Sequence, residues 1–119
     1  VLSSNKLTSL PSQMGNMTHL EVLKLDHNRL QGSLIAEIRK LPQLKVLDAS
    51  FNEMTGIPAE IGQLHNLRTL DLSYNRINAQ PNEIYHLQQL KHLDLTGNPL
   101  STAQFSHLKS ELPNTAVVF

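Results

Sequence analysis

Five asparagines set a period along this chain. Asn5, Asn28, Asn52, Asn75 and Asn98 fall 23, 24, 23 and 23 residues apart, and each is followed two positions later by an apolar residue: Leu7, Leu30, Met54, Ile77 or Leu100. A fixed period of about 20–50 residues marks a chain built from stacked copies of one unit, none of which can bury its apolar face alone.

Aligned on the asparagines, the chain reads LEVLKLDHNRL from Leu20, LKVLDASFNEM from Leu44, LRTLDLSYNRI from Leu67 and LKHLDLTGNPL from Leu90, with a truncated VLSSNKL in front. The pattern is L-x-x-L-x-L-x-x-N-x-L, and the sequence resembles the leucine-rich repeat family over nearly its whole length. Spacing alone already defines the elements. Leu70 and Leu72 alternate with Thr69, Asp71 and Ser73, as in a short strand with one buried face. Parallel strands need a crossover, and the stretch behind each strand supplies one with a second apolar set. That set is Leu10, Met14 and Met17; Leu34, Ile38 and Leu41; Ile57, Ile61 and Leu64; then Ile84 and Leu87. Its spacings of three and four suit a short helix or 3₁₀ segment. The expected fold is α/β: a right-handed leucine-rich-repeat solenoid, with a curved parallel sheet on the concave side and short helical or 3₁₀ segments on the convex side.

One domain is expected over residues 1–119, with a partial repeat at 1–19, repeats at 20–43, 44–66, 67–89 and 90–100, and a cap at 101–119. In the cap, Ser101 or Thr102 can N-cap a helix, Phe105, Leu108 and Leu112 follow at helical spacing, and Pro113 stops it. Ala116 to Phe119 reads as a last edge strand. This resembles the caps of many bacterial leucine-rich repeat proteins and suggests a bacterial source. The start at Val1 is mid-repeat, which leaves missing upstream repeats, proteolytic trimming, or an open edge closed by another copy of the chain.

Asn5, Asn28, Asn52, Asn75 and Asn98 have a structural explanation. Strand-exit turns strip ladder partners from the backbone, and an Asn amide carries both donors and an acceptor to replace them. The resemblance implies the same, an asparagine ladder. Two repeats depart from the pattern. Ala49 replaces the leucine of the sixth position, a loosening that Leu34 or Ile35 would have to fill, and Gln80 stands where Leu10 and Ile57 precede a proline, so that either the crossover has shifted, the favoured reading, or Gln80 faces solvent.

Function is expected on the exposed strand positions, where leucine-rich repeats usually meet partners. The third position holds Val22, Val46, Thr69 and His92, and the fifth holds Lys24, Asp48, Asp71 and Asp94. The seventh holds Ser3, Asp26, Ser50, Ser73 and Thr96, and the eighth holds Ser4, His27, Phe51, Tyr74 and Gly97. Asp48, Asp71 and Asp94 would stack at about 4.8 Å, so either a basic partner is awaited or Lys45, Arg68 and Lys91 neutralise them. His27, Phe51 and Tyr74 form an aromatic stripe, either an interface centre or rings lying over the asparagine turn. Five strands exposing about five residues each make a face of about 400 Å². A standard interface buries about 800 Å² per partner, so such a module would bind weakly, use its flanks or belong to something larger.

Other chemistries find little support. Ten Lys and Arg balance ten Asp and Glu, so no net field gathers nucleic acid. No apolar run approaches the ~20 residues that cross a bilayer, which fits a soluble chain, cytoplasmic or secreted after processing. The histidines share no repeat position, no Gly-rich loop precedes a helix and no nucleophile motif is present, so neither a metal, a cofactor nor a catalytic residue is expected. Asn16-Met17-Thr18 is a glycosylation sequon that would matter in a eukaryotic secreted protein. The expected function is a non-catalytic module that binds a protein or peptide on its concave face. The alternatives are the recognition segment of a larger kinase, GTPase or ubiquitin ligase, or self-association through the N-terminal edge.

Overall fold

Each copy of the leucine pattern places its fourth and sixth side chains inward and its third and fifth outward, and the chain forms one short strand there. The computed structural model describes residues 3–6, 16–33, 38, 40–57, 59–78 and 82–119. Strands β1 (Val22–Lys24), β3 (Val46–Asp48), β5 (Thr69–Asp71) and β6 (His92–Asp94) come from the four repeats, and β7 (Ala116–Val118) follows the C-terminal helix α1 (Thr102–Glu111). They form one parallel sheet in the order β1-β3-β5-β6-β7. The fold is a leucine-rich-repeat solenoid. Register is constant, with Val22, Val46, Thr69, His92 and Ala116 in one row and Lys24, Asp48, Asp71, Asp94 and Val118 in another.

Behind the sheet, 3₁₀ segments Ala59–Gln63 and Asn82–His86 carry the crossovers. Ile61 and Ile84 within them, and Leu64 and Leu87 just after them, close the core against Leu47, Leu70, Leu72 and Leu93. Met17 does not follow its column. Leu41, Leu64 and Leu87 are buried between successive repeats, whereas Met17, with a described repeat on one side only, is 54% exposed. Ala49 is buried in that core. Leu34, Ile35 and Gln80, on which the two irregular repeats turn, lie outside the described residues, as do Leu7, Leu10 and Met14.

A second, two-stranded parallel sheet joins β2 (Gln31–Ser33) to β4 (Glu53–Gly56) just past the asparagine turns. Glu53 N–H donates to Leu30 O at 2.8 Å and Arg76 N–H to Met54 O at 2.8 Å, so repeats pair on this flank as well as in the main sheet.

The asparagines clasp neighbouring repeats. Asn52 Nδ2 donates to Leu25 O and Ala49 O, Asn75 Nδ2 to Ala49 O and Leu72 O, and Asn98 Nδ2 to Leu72 O and Leu95 O, all within 2.8–3.1 Å. Oδ1 of Asn28, Asn52, Asn75 and Asn98 accepts the main-chain N–H of Asn5, Leu30, Met54 and Ile77 respectively. Asn28, Asn52 and Asn75 are buried, where an unmet amide would cost about 1–3 kcal/mol.

Helix α1 closes the C-terminal side. Ser101 accepts from Gln104 N–H while Gln104 Oε1 accepts from Ser101 N–H, a reciprocal capping box. Phe105, Leu108 and Leu112 are buried, and Phe119 stacks on Phe105 with centroids 3.8 Å apart.

Candidate functional site

The outward face of the main sheet carries the residues singled out for partner contact. Strand alternation presents Val46, Thr69 and His92 in one row and Lys24, Asp48, Asp71 and Asp94 in the next. Val22, Lys24 and His92 are exposed and the rest of both repeat rows half-buried. Ala116 and Val118 extend the two rows by one rung, and Val118 is 40% exposed. The leucine pattern does not mark them as face residues because the capping strand lacks that signature, although its AVVF run signals a strand.

The aspartates are held by their own strand exits. Asp48 Oδ1 accepts from the Ser50 N–H at 3.0 Å and hydroxyl at 2.7 Å, and Asp71 Oδ1 does the same with Ser73. Asp94 Oδ1 accepts from the Thr96 N–H at 2.9 Å and hydroxyl at 2.6 Å. Neutralisation by Lys45, Arg68 and Lys91 is not what the geometry shows. The second and fifth positions are three residues, about 10 Å, apart along the strand and of opposite alternation. Lys45 pairs instead with Glu21, the second position of the repeat before it, at 2.8 Å, and its ammonium group draws the Glu21 carboxyl below the usual range. Among the described residues no ion pair reaches the three aspartates, and each Oδ2 is left without a protein partner. The seventh position is also not an exposed column throughout: Ser50 and Ser73 are buried, turned in to make these bonds.

The eighth position has one backbone state in every described repeat. Ser4, His27, Phe51, Tyr74 and Gly97 all have positive φ, between 54° and 78°. This left-handed turn reverses the chain after the strand and swings the side chain along the solenoid axis. His27 and Phe51 stack with centroids 4.4 Å apart and planes 10° apart, and Phe51 and Tyr74 at 4.6 Å and 16°. Tyr74 then lies on Gly97, where a Cβ would meet its Cδ1 at 2.6 Å. The second of the two readings of the stripe, rings lying over the turn, is what the geometry shows. Each covers the next turn, and Phe51 and Tyr74 remain 44% and 50% exposed.

At the head of the stack, Asp26 accepts from Ser3 Oγ and, at 2.8 Å, from His27 Nδ1. The Ser3 hydroxyl first, and the imidazole second, hold the Asp26 carboxyl below the ordinary carboxylate range. That contribution to stability is present above the ordinary range and lost as pH falls through the lowered value. Elsewhere, Ala59, Glu60, Gly62, Gln63, His65 and His86 line a shallow convex cavity of about 350 Å³. Among the described residues no group of three or more His, Cys, Asp or Glu side chains is placed to share a metal ion. No helix described is long and apolar enough to cross a membrane.

A stacked parallel sheet faced by short crossovers and stitched by buried asparagines defines a class of repeat protein. A leucine rich repeat family model matches residues 1–54 and 42–100, and the chain belongs to that family. It is similar to Receptor-like protein 1 of Arabidopsis thaliana, at 47% identity over 55 residues, 43% of this chain and 5% of that protein. A leucine-rich-repeat protein of Leptospira interrogans superposes with a TM-score of 0.92 at 33% identity, over 96% of this chain and 29% of that one. The ectodomain of the Arabidopsis thaliana membrane receptor kinase GASSHO1/SCHENGEN3, solved in complex with Casparian strip integrity factor 2, matches with a TM-score of 0.70 at 46% identity, over 77% of this chain and 11% of that one. The chain thus spans a small part of each. The likenesses cross from a plant to a bacterium and do not favour the bacterial source that the cap suggests.

Proposed function

We propose that the concave face binds an extended protein or peptide segment that carries basic side chains. Leucine-rich-repeat ectodomains of plant receptors bind peptides and proteins, which supports the general class. The chemistry of this face supports the particular ligand. The observation that carries it is the row Asp48, Asp71 and Asp94, adjacent on successive strands, each with one carboxylate oxygen unmatched by any described cation. Beside it, the Phe51 and Tyr74 rings offer their exposed parts to an aliphatic stem or a guanidinium plane. A segment crossing β3, β5 and β6 would meet a carboxylate on each of these three strands, with Val46, Thr69 and His92 beneath its uncharged side chains.

Binding to an array of random-sequence peptides tests this. Retained peptides should be enriched in Lys and Arg, bind less as salt rises, and be lost by at least tenfold in an Asp71→Asn, Tyr74→Ala variant. Equal retention of acidic and basic peptides, or no change in that variant, overturns the proposal.

The small fraction of its relatives that the chain covers favours a second reading, in which it is the recognition segment of a larger protein. The transcript encoding Val1 decides: further repeats or another domain should read in frame upstream, and a start codon directly before Val1 would sink it.

A further inference from the structure

Asn16-Met17-Thr18 is the chain's single Asn-X-Ser/Thr triplet without proline at X. We infer that Asn16 is the acceptor of one N-linked glycan when the chain enters a eukaryotic secretory compartment, and that the fold reserves the convex side for it. In the transfer, Asn16 Nδ2 attacks C1 of a lipid-pyrophosphate-linked oligosaccharide. The N–C1 bond forms, the C1–O bond breaks with its electron pair leaving on the lipid pyrophosphate, and one amide proton passes to a base of the transferase.

Transfer acts on the chain as it is threaded through the membrane, so the folded state need only give a large hydrated group a place in water. Burying any of its hydroxyls without partners would be costly. Three features meet that requirement. Asn16 and Thr18 are exposed, and so are their equivalents in every later repeat: Lys40, Gln63 and His86 for the first, Pro42, His65 and Gln88 for the second. Both positions therefore stay at the surface whatever repeats flank them. Next, the Asn16 amide makes no hydrogen bond among the described residues, whereas Asn28, Asn52 and Asn75 are buried with their amides committed to main-chain groups. None of those clasping asparagines has Ser or Thr two residues on, so the motif falls on an asparagine that can carry a sugar without unstitching the repeats. Last, Asn16 stands just ahead of a tight turn in which Leu20 N–H donates to Met17 O at 3.0 Å. The same turn recurs at Leu41–Leu44, Leu64–Leu67 and Leu87–Leu90, so the glycan sits behind the sheet and leaves the concave rows clear.

The test is cell-free translation of the whole chain behind a cleavable signal peptide with endoplasmic-reticulum microsomes. The imported wild type should gain a single glycan removable by an endoglycosidase. The gain should be lost completely in Asn16→Gln and Thr18→Ala and kept in Thr18→Ser. The purified glycosylated chain should melt cooperatively within a few degrees of the unmodified one. Imported wild type without a glycan, or a glycan that persists in Asn16→Gln, overturns the assignment. A glycosylated chain that no longer melts cooperatively overturns the claim that the convex side accommodates it.

Discussion

Gly97 and Tyr74 meet as backbone and ring, and their contact separates two costs that usually come together. A Gly97→Ala substitution adds a Cβ at φ 78° and places it 2.6 Å from Tyr74 Cδ1. The left-handed backbone costs a non-glycine residue about 1–2 kcal/mol, and the clash adds to that. We expect Gly97→Ala to lower stability to urea by about 2–3 kcal/mol. Adding Tyr74→Ala should return the clash component, giving a coupling of about 1 kcal/mol in the double-mutant cycle. Additivity of the two substitutions would mean that the ring does not rest on this turn. The shared backbone state of the eighth position was hidden in the sequence because five different residue types, Ser, His, Phe, Tyr and Gly, occupy it. Only Gly97 hinted at positive φ, and bulky aromatics argue against it; stacking between repeats stabilises what an isolated turn would not hold.

Among the elements, those with a periodic apolar signature were legible. Leu23, Leu47, Leu70 and Leu93 announce the four repeat strands, Ile61–Leu64 and Ile84–Leu87 the crossovers, and Phe105, Leu108 and Leu112 the closing helix. The second sheet was not, because Gln31–Ser33 and Glu53–Gly56 show no alternation and owe their pairing to the turns that precede them. The candidate face was legible as positions but not as chemistry. Strand parity correctly put Asp48 and Asp71 outward, yet a one-dimensional pattern does not say that Ser50 and Ser73 turn back to hold them, or that Lys45 looks along the solenoid to Glu21. Such pairings depend on which residues of adjacent turns share an edge, which emerges only after stacking.

For the molecule as a whole, stability should follow position along the stack. A repeat in a solenoid touches only its neighbours, so protection accumulates where both neighbours are present. Ala49 N–H, bonded to Asp71 O at 2.8 Å, and Leu72 N–H, bonded to Asp94 O at 2.9 Å, sit at the centre with buried side chains. Ser4 N–H bonds Asp26 O at a similar 3.0 Å from an exposed stretch. Native-state hydrogen exchange should therefore be at least about tenfold faster at Ser4 than at Ala49 and Leu72, despite similar bond lengths. Equal protection at the three would show that the chain opens only as one unit.

The asparagine clasps also have a direction. Asn52, Asn75 and Asn98 each send Nδ2 to a carbonyl of the preceding repeat and accept an N–H from that same repeat. A chain emerges from the ribosome N-terminus first, at about 5–20 residues per second. Every clasp therefore finds its anchors already synthesised. Each new repeat can be fastened as it appears, about one every one to five seconds, without waiting for sequence not yet made.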